Sequence, residues 1–154
     1  MKRLPVIIMA AVFASPAWGI EINEGLSGAW FNPETPGQGV VFDVVPANDL
    51  VFMAWFTFSD AAPAKLGSTD QRWLTAQGNI SGDTANLTLF LSQGGAFGQS
   101  TQVVNTPVGE AAVVFDSCTE ATLSYALEDN SGSADISLVR LAPDVYCGAL
   151  SAGR

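Results

Sequence analysis

Histidine is absent from this sequence and only two cysteines are present, so several kinds of catalytic site are excluded. Without histidine the chain lacks the commonest general base, the usual serine triad and most zinc ligand sets. Cys118 and Cys147 do not have the CxxC spacing of redox and metal sites. We therefore expect no enzyme activity, no catalytic residues, no metal and no cofactor. A carboxylate pair for glycoside hydrolysis remains open, with Asp43 as its candidate, although strand alternation favours a solvated, outward position for Asp43.

Basic residues are also scarce, and two of the six stand at the start of the chain. Lys2 and Arg3 precede an apolar run over residues 4–14, which is too short to span a bilayer, and small residues follow it. This pattern is typical of a signal peptide. We expect a signal peptide over residues 1–19 and a single domain over residues 20–154, located in the periplasm or secreted.

After removal of this signal, four basic residues remain against 15 acidic ones, a net charge of −11. Such an acidic surface repels phosphate groups, so we expect neither nucleic acid nor an anionic membrane as a partner. The same charge keeps an exported, apolar-rich domain in solution. In an oxidising compartment we also expect a disulfide between Cys118 and Cys147, which would stabilise the fold by about 3–4 kcal/mol on the chain-entropy model.

Apolar and polar residues alternate along most of the mature chain, which is typical of β-strands with one buried face. Leu87, Leu89 and Leu91, for example, share one face of their strand. No segment shows a helical period with caps, so we expect helix only in short turns. The strands predicted by this alternation are residues 28–32, 39–45, 50–58, 72–80, 85–91, 111–116, 121–127 and 134–141.

Short connections rich in Gly, Pro, Asn and Asp separate most of these strands, which predicts antiparallel hairpins between consecutive strands. Eight such strands can close into a single antiparallel up-and-down barrel, an architecture that leaves no exposed edge. A β-sandwich is the alternative, since the same strands can divide between two sheets. Two longer loops, over residues 59–71 and 93–110, are the places where function is expected on such a scaffold.

The first predicted strand carries a G-x-W motif, Gly28 and Trp30, at the start of an eight-stranded barrel. Here the chain resembles the calycins, which include lipocalins, fatty-acid-binding proteins, avidins and some bacterial protease inhibitors. The resemblance implies that Trp30 closes the base of the barrel and that Arg140, on the last strand, packs over it with a cation–π contact. Asn32 matches an asparagine that helps avidins to bind ligand, while its position before Pro33 is typical of an ordinary turn.

A wider pattern consists of residues 28–33 (GAWFNP), 37–39 (GQG), 54–57 (AWFT) and 72–78 (RWLTAQG), with Cys118 ahead of the seventh strand. This pattern resembles a domain found in secreted proteins of proteobacteria. The resemblance implies export and an intact domain over most of the mature chain. It implies no particular chemistry.

Aromatic and amide side chains within these motifs are the candidate ligand-binding residues. Trp73 shares its predicted strand face with polar residues that include Gln77. If this face points inward, it lines a pocket with an aromatic floor; if it points outward, it is a solvated strand face with a tryptophan at its edge. The third strand is apolar on both faces, so it is either covered on both sides or presents aromatic rings to a cavity or a partner. Gln38, between two glycines, either caps a turn or contacts the ligand. The candidates are Trp30, Asn32, Gln38, Trp55, Trp73 and Gln77.

Together these features favour an exported, non-enzymatic binding module for a small or oligomeric ligand that is uncharged or weakly basic. The alternative is a protease inhibitor or another protein-binding domain that acts through loops such as residues 94–98, with a packed interior. A purely structural accessory domain is a third interpretation. An open cavity of roughly 300 Å³ beside Trp73 would favour the small-ligand function. A filled interior would favour a polymer or a protein, bound by the loops or the outer face.

Overall fold

The computed structural model describes residues 19–58, 71–128, 132–142 and 145–152. Within these ranges eight antiparallel strands pair in chain order and close into a barrel. This confirms the predicted up-and-down barrel and excludes the sandwich. The predicted signal peptide, except for Gly19, lies outside the described residues. The strands are β1 (Gly28–Phe31), β2 (Gly39–Val45), β3 (Leu50–Phe58), β4 (Gln71–Ser81), β5 (Thr84–Gln93), β6 (Val104–Phe115), β7 (Glu120–Leu127) and β8 (Ser133–Arg140).

The barrel forms because apolar residues occupy alternate positions of the strands. In β2, Val40, Phe42 and Val44 are buried. Val41 and Asp43 lie between them and face outward, so Asp43 has the solvated position that its alternation predicts. The inward residues of the strands meet in one hydrophobic core. Each large apolar side chain removed from water contributes about 1.5–3 kcal/mol, which stabilises the closed sheet.

One end of the barrel, which we call the closed end, is covered by the N-terminal segment and a C-terminal helix. The rings of Trp30, Phe42 and Phe115 lie against one another there, with centroids 5.3–6.4 Å apart. A 3-10 turn, Glu24–Leu26, and the helix α1, Val145–Ala152, cover them. The opposite end carries the longer connections, and we call it the loop end.

A disulfide joins Cys118, in the β6–β7 turn, to Cys147 in α1, and this confirms the predicted pairing. The two Cα atoms are 5.8 Å apart. Gly25 of the 3-10 turn lies so close to the helix that a Cβ atom there would come within 2.5 Å of the backbone nitrogen of Cys147. The disulfide and this close approach together hold α1 against the closed end.

The helix α1 is short, in keeping with the small amount of helix predicted from sequence. No helical period marks it in the sequence because α1 is brief and contains Gly148 and Ser151, so its own helical preference is weak. Its tertiary attachments stabilise it instead. None of the helices in the described ranges is long and apolar enough to cross a membrane.

The strand β6 also differs from the prediction, because it begins at Val104 and takes up much of the predicted loop over residues 93–110. Pro107 and Gly109 interrupt the alternation by which a strand is recognised in sequence. The structure accommodates them at a β-bulge, where the register between β5 and β6 shifts. The remaining connection, over residues 94–103, is a hairpin loop.

Candidate functional site

The barrel interior is occupied by side chains. Met53, Leu89 and Leu123, on three different strands, are fully buried there. At the loop end, an opening bordered by Gln38 and Trp55 has a volume of about 20 Å³, which is room for about one water molecule. This opening is far smaller than the roughly 300 Å³ of a small-ligand pocket.

Trp73 and Gln77 lie on the outer face of β4 and not on the inner face that an aromatic pocket floor requires. Leu74 and Ala76 take the inner positions and are buried, whereas Trp73 is 55% exposed. Both faces of β4 carry apolar residues, and the face with Leu74, Ala76 and Ile80 gains more from burial because it lacks amide side chains. Of the two alternatives left open for this strand face, the outward one is therefore observed.

The outer surface of β1–β4 carries a patch of large apolar side chains. The strand register places Phe56 opposite both Gly39 of β2 and Trp73 of β4. Six of the patch residues are 37–65% exposed, and together they present about 500–600 Å² of surface. The largest apolar patch on a typical monomer is of this size and is often functional. We call this patch the aromatic face, and it consists of Phe31, Val41, Phe52, Phe56, Phe58, Trp73 and Leu141.

A groove lies on the β1–β3 side of the aromatic face, above Gly39. Because glycine has no side chain, a gap of about 350 Å³ opens between Phe31, Phe56 and Leu141. A Cβ atom at Gly39 would lie 2.8 Å from the carbonyl oxygen of Trp30, so β1 and β2 approach too closely for another residue. The GQG motif thus supplies the floor of the groove.

Trp30 is buried at the closed end. The guanidinium carbon of Arg140 lies 5.3 Å from its ring centroid, in cation–π geometry. The Trp30 Nε1–H donates to the carbonyl oxygen of Leu26 at 3.2 Å, and Arg140 donates to the carbonyl oxygens of Gly25 and Ser27. These contacts place Trp30 at the base of the barrel, where its side chain is buried.

Asn32 and Gln38 hold the β1–β2 connection through hydrogen bonds of their amide oxygens. Oδ1 of Asn32 accepts the backbone N–H of Glu34 at 2.9 Å, which is the geometry of a turn residue. Oε1 of Gln38 accepts a hydrogen bond from Oγ1 of Thr57 at 2.6 Å and so ties the connection to β3. Both side chains therefore have local structural partners, and both border the small opening at the loop end.

Trp55 lies inside the barrel beneath the same opening. It is buried, and its ring meets Tyr125 edge-on with centroids 5.0 Å apart. Three of the six candidate residues thus border the loop-end opening, and the other three lie at the closed end or on the outer face. The residues at the opening are Asn32, Gln38 and Trp55.

Two long loops were predicted to carry function. Residues 59–70 of the first lie outside the described ranges, and the second, the β5–β6 connection, is described. Ala96 and Gln99 form a β-bridge at its tip, and Oγ1 of Thr101 donates to the carbonyl oxygen of Gly94 at 2.9 Å. Between them the side chain of Phe97 is fully exposed. This hairpin tip therefore presents one aromatic side chain to solvent, a form suited to insertion into a pocket of another protein.

Phe52, Phe56 and Phe58 form the centre of the aromatic face but are not among the residues predicted from sequence. The sequence feature that points to them is the apolar character of both faces of β3. One of the two interpretations of this feature was that the strand presents aromatic rings to a cavity or a partner. Their outward positions agree with that alternative. Only the strand register brings Phe56 beside Trp73 and the GQG motif.

The described surface thus offers two candidate sites of different shape. The aromatic face is broad and grooved, and it suits an extended ligand. The hairpin tip is narrow, and it suits insertion into a partner. Comparisons of the chain with protein-family models, with curated proteins and with solved structures found no match.

Proposed function

We propose that this chain is an exported, non-enzymatic binding domain that holds an uncharged glycan chain on its aromatic face. The main support is the exposure of six large apolar side chains on one side of a barrel whose inward residues are buried. An apolar patch of this size on a monomer is often functional, so its presence favours a binding surface. The predicted signal peptide and the Cys118–Cys147 disulfide support export, because such bonds persist in oxidising compartments.

Uncharged polar side chains stand beside the rings of the aromatic face. The outward positions of β4 continue from Trp73 through Thr75 and Gln77. The faces of sugar rings present C–H groups that stack on aromatic rings, while the hydroxyl groups at their edges bond to amides and hydroxyls. Asp43 is the one charged side chain at the outward positions of β2, β3 and β4 among the described residues. The face therefore matches a neutral ligand better than an ionic one.

Two rings of this face are positioned to stack on a ligand. Phe56 and Trp73 lie opposite each other on neighbouring strands, and neither makes a ring–ring contact within the described part of the chain. Three strand spacings separate β1 from β4, which gives the face a width of about 14 Å. A chain of several sugar units fits across this width, and the groove above Gly39 can take a substituent.

Replacing Trp73 by alanine is expected to weaken binding of a neutral glycan about 10- to 100-fold, because it removes a central aromatic contact. Retention on insoluble cellulose, chitin, xylan and starch, followed by calorimetry with the matching oligosaccharides, measures this change. Phe97→Ala is the control, since it removes a fully exposed ring outside the aromatic face and should leave the affinity unchanged. Full binding by Trp73→Ala, or no binding of the wild type to any of these glycans, contradicts the proposal.

A second function, inhibition of a secreted protease, is favoured by the full exposure of Phe97 at the hairpin tip. The test is residual activity of serine, cysteine and metalloproteases incubated with an equimolar amount of the domain. For this function, Phe97→Ala is expected to raise the inhibition constant at least about ten-fold, while Trp73→Ala should not change it. Undiminished activity of every protease class rejects this candidate.

A further inference from the structure

Among the described residues, the strand β8 has no partner along most of one side. Towards β7 it pairs from Ser133 to Val139. Towards β1, within the described residues, it pairs only at Val139 and Arg140, because β1 ends at Phe31. We call the unpaired side of β8, over residues 133–138, the seam.

A proline explains why β1 stops there. Leu141 donates its N–H to the carbonyl oxygen of Ala29 at 2.9 Å, and hydrogen-bonded pairs recur at every second residue of an antiparallel ladder. Continuing this ladder would place Pro33 opposite Ser137, and proline has no N–H to donate. The same alternation directs the backbone N–H and C=O groups of Ser137 and Asp135 into the seam.

The inward side chains of β8 become more exposed along the part of the strand that faces the seam. Leu138, Ile136 and Ala134 share the inward face, yet they are respectively buried, half-buried and exposed. The opening of about 20 Å³ lies at this point, lined by Ile136 and Leu138 together with Trp55 and Leu123. The seam therefore combines a small apolar opening with backbone groups that no described strand pairs with.

The surroundings of the seam are acidic. Asp135 is exposed on β8, and Glu34 is exposed in the turn that borders the opening. The described residues include two basic side chains, Arg72 on β4 and Arg140, and Arg140 donates to backbone carbonyls at the closed end. The charge of this region thus complements a positively charged partner.

The geometry points to a second binding site, in which the seam takes an extended, positively charged segment of a partner protein as an added strand. The segment runs antiparallel to β8, in line with β1, and bonds to the backbone of Asp135 and Ser137. A small residue of the segment faces the apolar opening, and its Lys or Arg residues face Asp135 and Glu34. This site is separate from the aromatic face and does not depend on glycan binding.

Random eight-residue peptides displayed on phage are selected for binding to the mature wild-type protein. The enriched peptides are the probe. We expect the enriched peptides to contain an excess of Lys and Arg and a Gly, Ala or Ser at one position. Fluorescence anisotropy then compares the enriched peptides on variants. Ser137→Pro removes the seam-facing N–H and is expected to lower affinity at least about ten-fold, whereas the matched control Ser137→Ala keeps this N–H and should bind like the wild type. Asp135→Asn is expected to lower affinity about three-fold.

Amide hydrogen exchange in the wild type gives a readout that does not depend on how any variant folds. The N–H groups of Asp135 and Ser137 should exchange rapidly in the free protein and become protected when the peptide binds. An empty selection, or peptides that bind Ser137→Pro and Ser137→Ala equally, overturns the proposal. Protection in the free protein, or a dimer that Ser137→Pro dissociates, also overturns it, because the chain itself would then cover the seam. Normal glycan binding by Ser137→Pro separates a failure here from a failure of the proposed function.

Discussion

Replacing Trp30 by alanine is expected to lower the free energy of unfolding by about 3–5 kcal/mol, the usual cost of removing a buried aromatic side chain. Trp30 lies between Phe42 and Phe115, with ring centroids 6.4 and 5.4 Å from its own, so the substitution leaves a cavity in the closed end. It also removes the ring over which Arg140 lies. Small domains have a total free energy of unfolding of about 5–15 kcal/mol, so this single substitution removes a large fraction of the stability.

Urea unfolding followed by far-UV circular dichroism measures this loss without relying on tryptophan fluorescence. Trp73→Ala is the matched control, because it deletes the same atoms from a 55% exposed position and should change stability by about 0.5 kcal/mol or less. Trp30→Phe keeps a ring but loses the hydrogen bond to Leu26, so we expect an intermediate loss of about 1–2 kcal/mol. Equal losses for Trp30→Ala and Trp73→Ala would show that Trp30 is not the base of the core.

Removing the disulfide by the double substitution Cys118→Ala and Cys147→Ala is expected to cost about 3–4 kcal/mol on the chain-entropy model. The two cysteines are separated by 29 residues, and the bond restricts the unfolded chain over that whole length. Cys147 is fully buried, and alanine fills most of its volume, so the loss should reflect the bond more than a new cavity. Urea unfolding of the oxidised wild type and of the double variant measures the difference.

The effect of losing the disulfide should begin at the closed end. The helix α1 is too short to persist alone, and besides the disulfide it has the close approach of Gly25 and a hydrogen bond from Asn23 to Oγ of Ser151 at 3.3 Å. Amide exchange should therefore accelerate in α1 before it does so in the barrel strands. Reduced wild-type protein is the control and should lose the same stability. A reduced wild type as stable as the oxidised form would contradict the prediction.

The fold could be predicted from sequence wherever the period-2 pattern is unbroken. Val40, Phe42 and Val44 identify the inward face of β2 without any tertiary information, because only one face of a barrel wall meets the core. The pattern fails in β6, where Pro107 and Gly109 flank a bulge whose geometry depends on the partner strand. It also fails for α1, whose helical state depends on a bond to a residue 29 positions away.

The candidate site could be predicted only in part. Asn32 and Gln38 stand in motifs that are visible in the sequence, and the turn interpretation of Asn32 agrees with its hydrogen bond to Glu34. The orientation of Trp73 could not be decided, because its own face and the face of Leu74 both carry apolar residues. A one-residue difference in strand register exchanges these faces, and the register depends on the neighbouring strands.

The sequence by itself determined the positions of most strands and the single possible cysteine pairing, since these follow from the alternation of apolar residues and from composition. Only the tertiary structure decided that the barrel interior is occupied by side chains and that Phe56, Trp73 and Leu141 share one outer face. It also decided that β8, over residues 133–138, faces no strand of the described chain on the side towards β1. The reason is that barrel closure and strand register depend on pairing between strands that are far apart in sequence. No local sequence pattern indicates which residues become neighbours in this way.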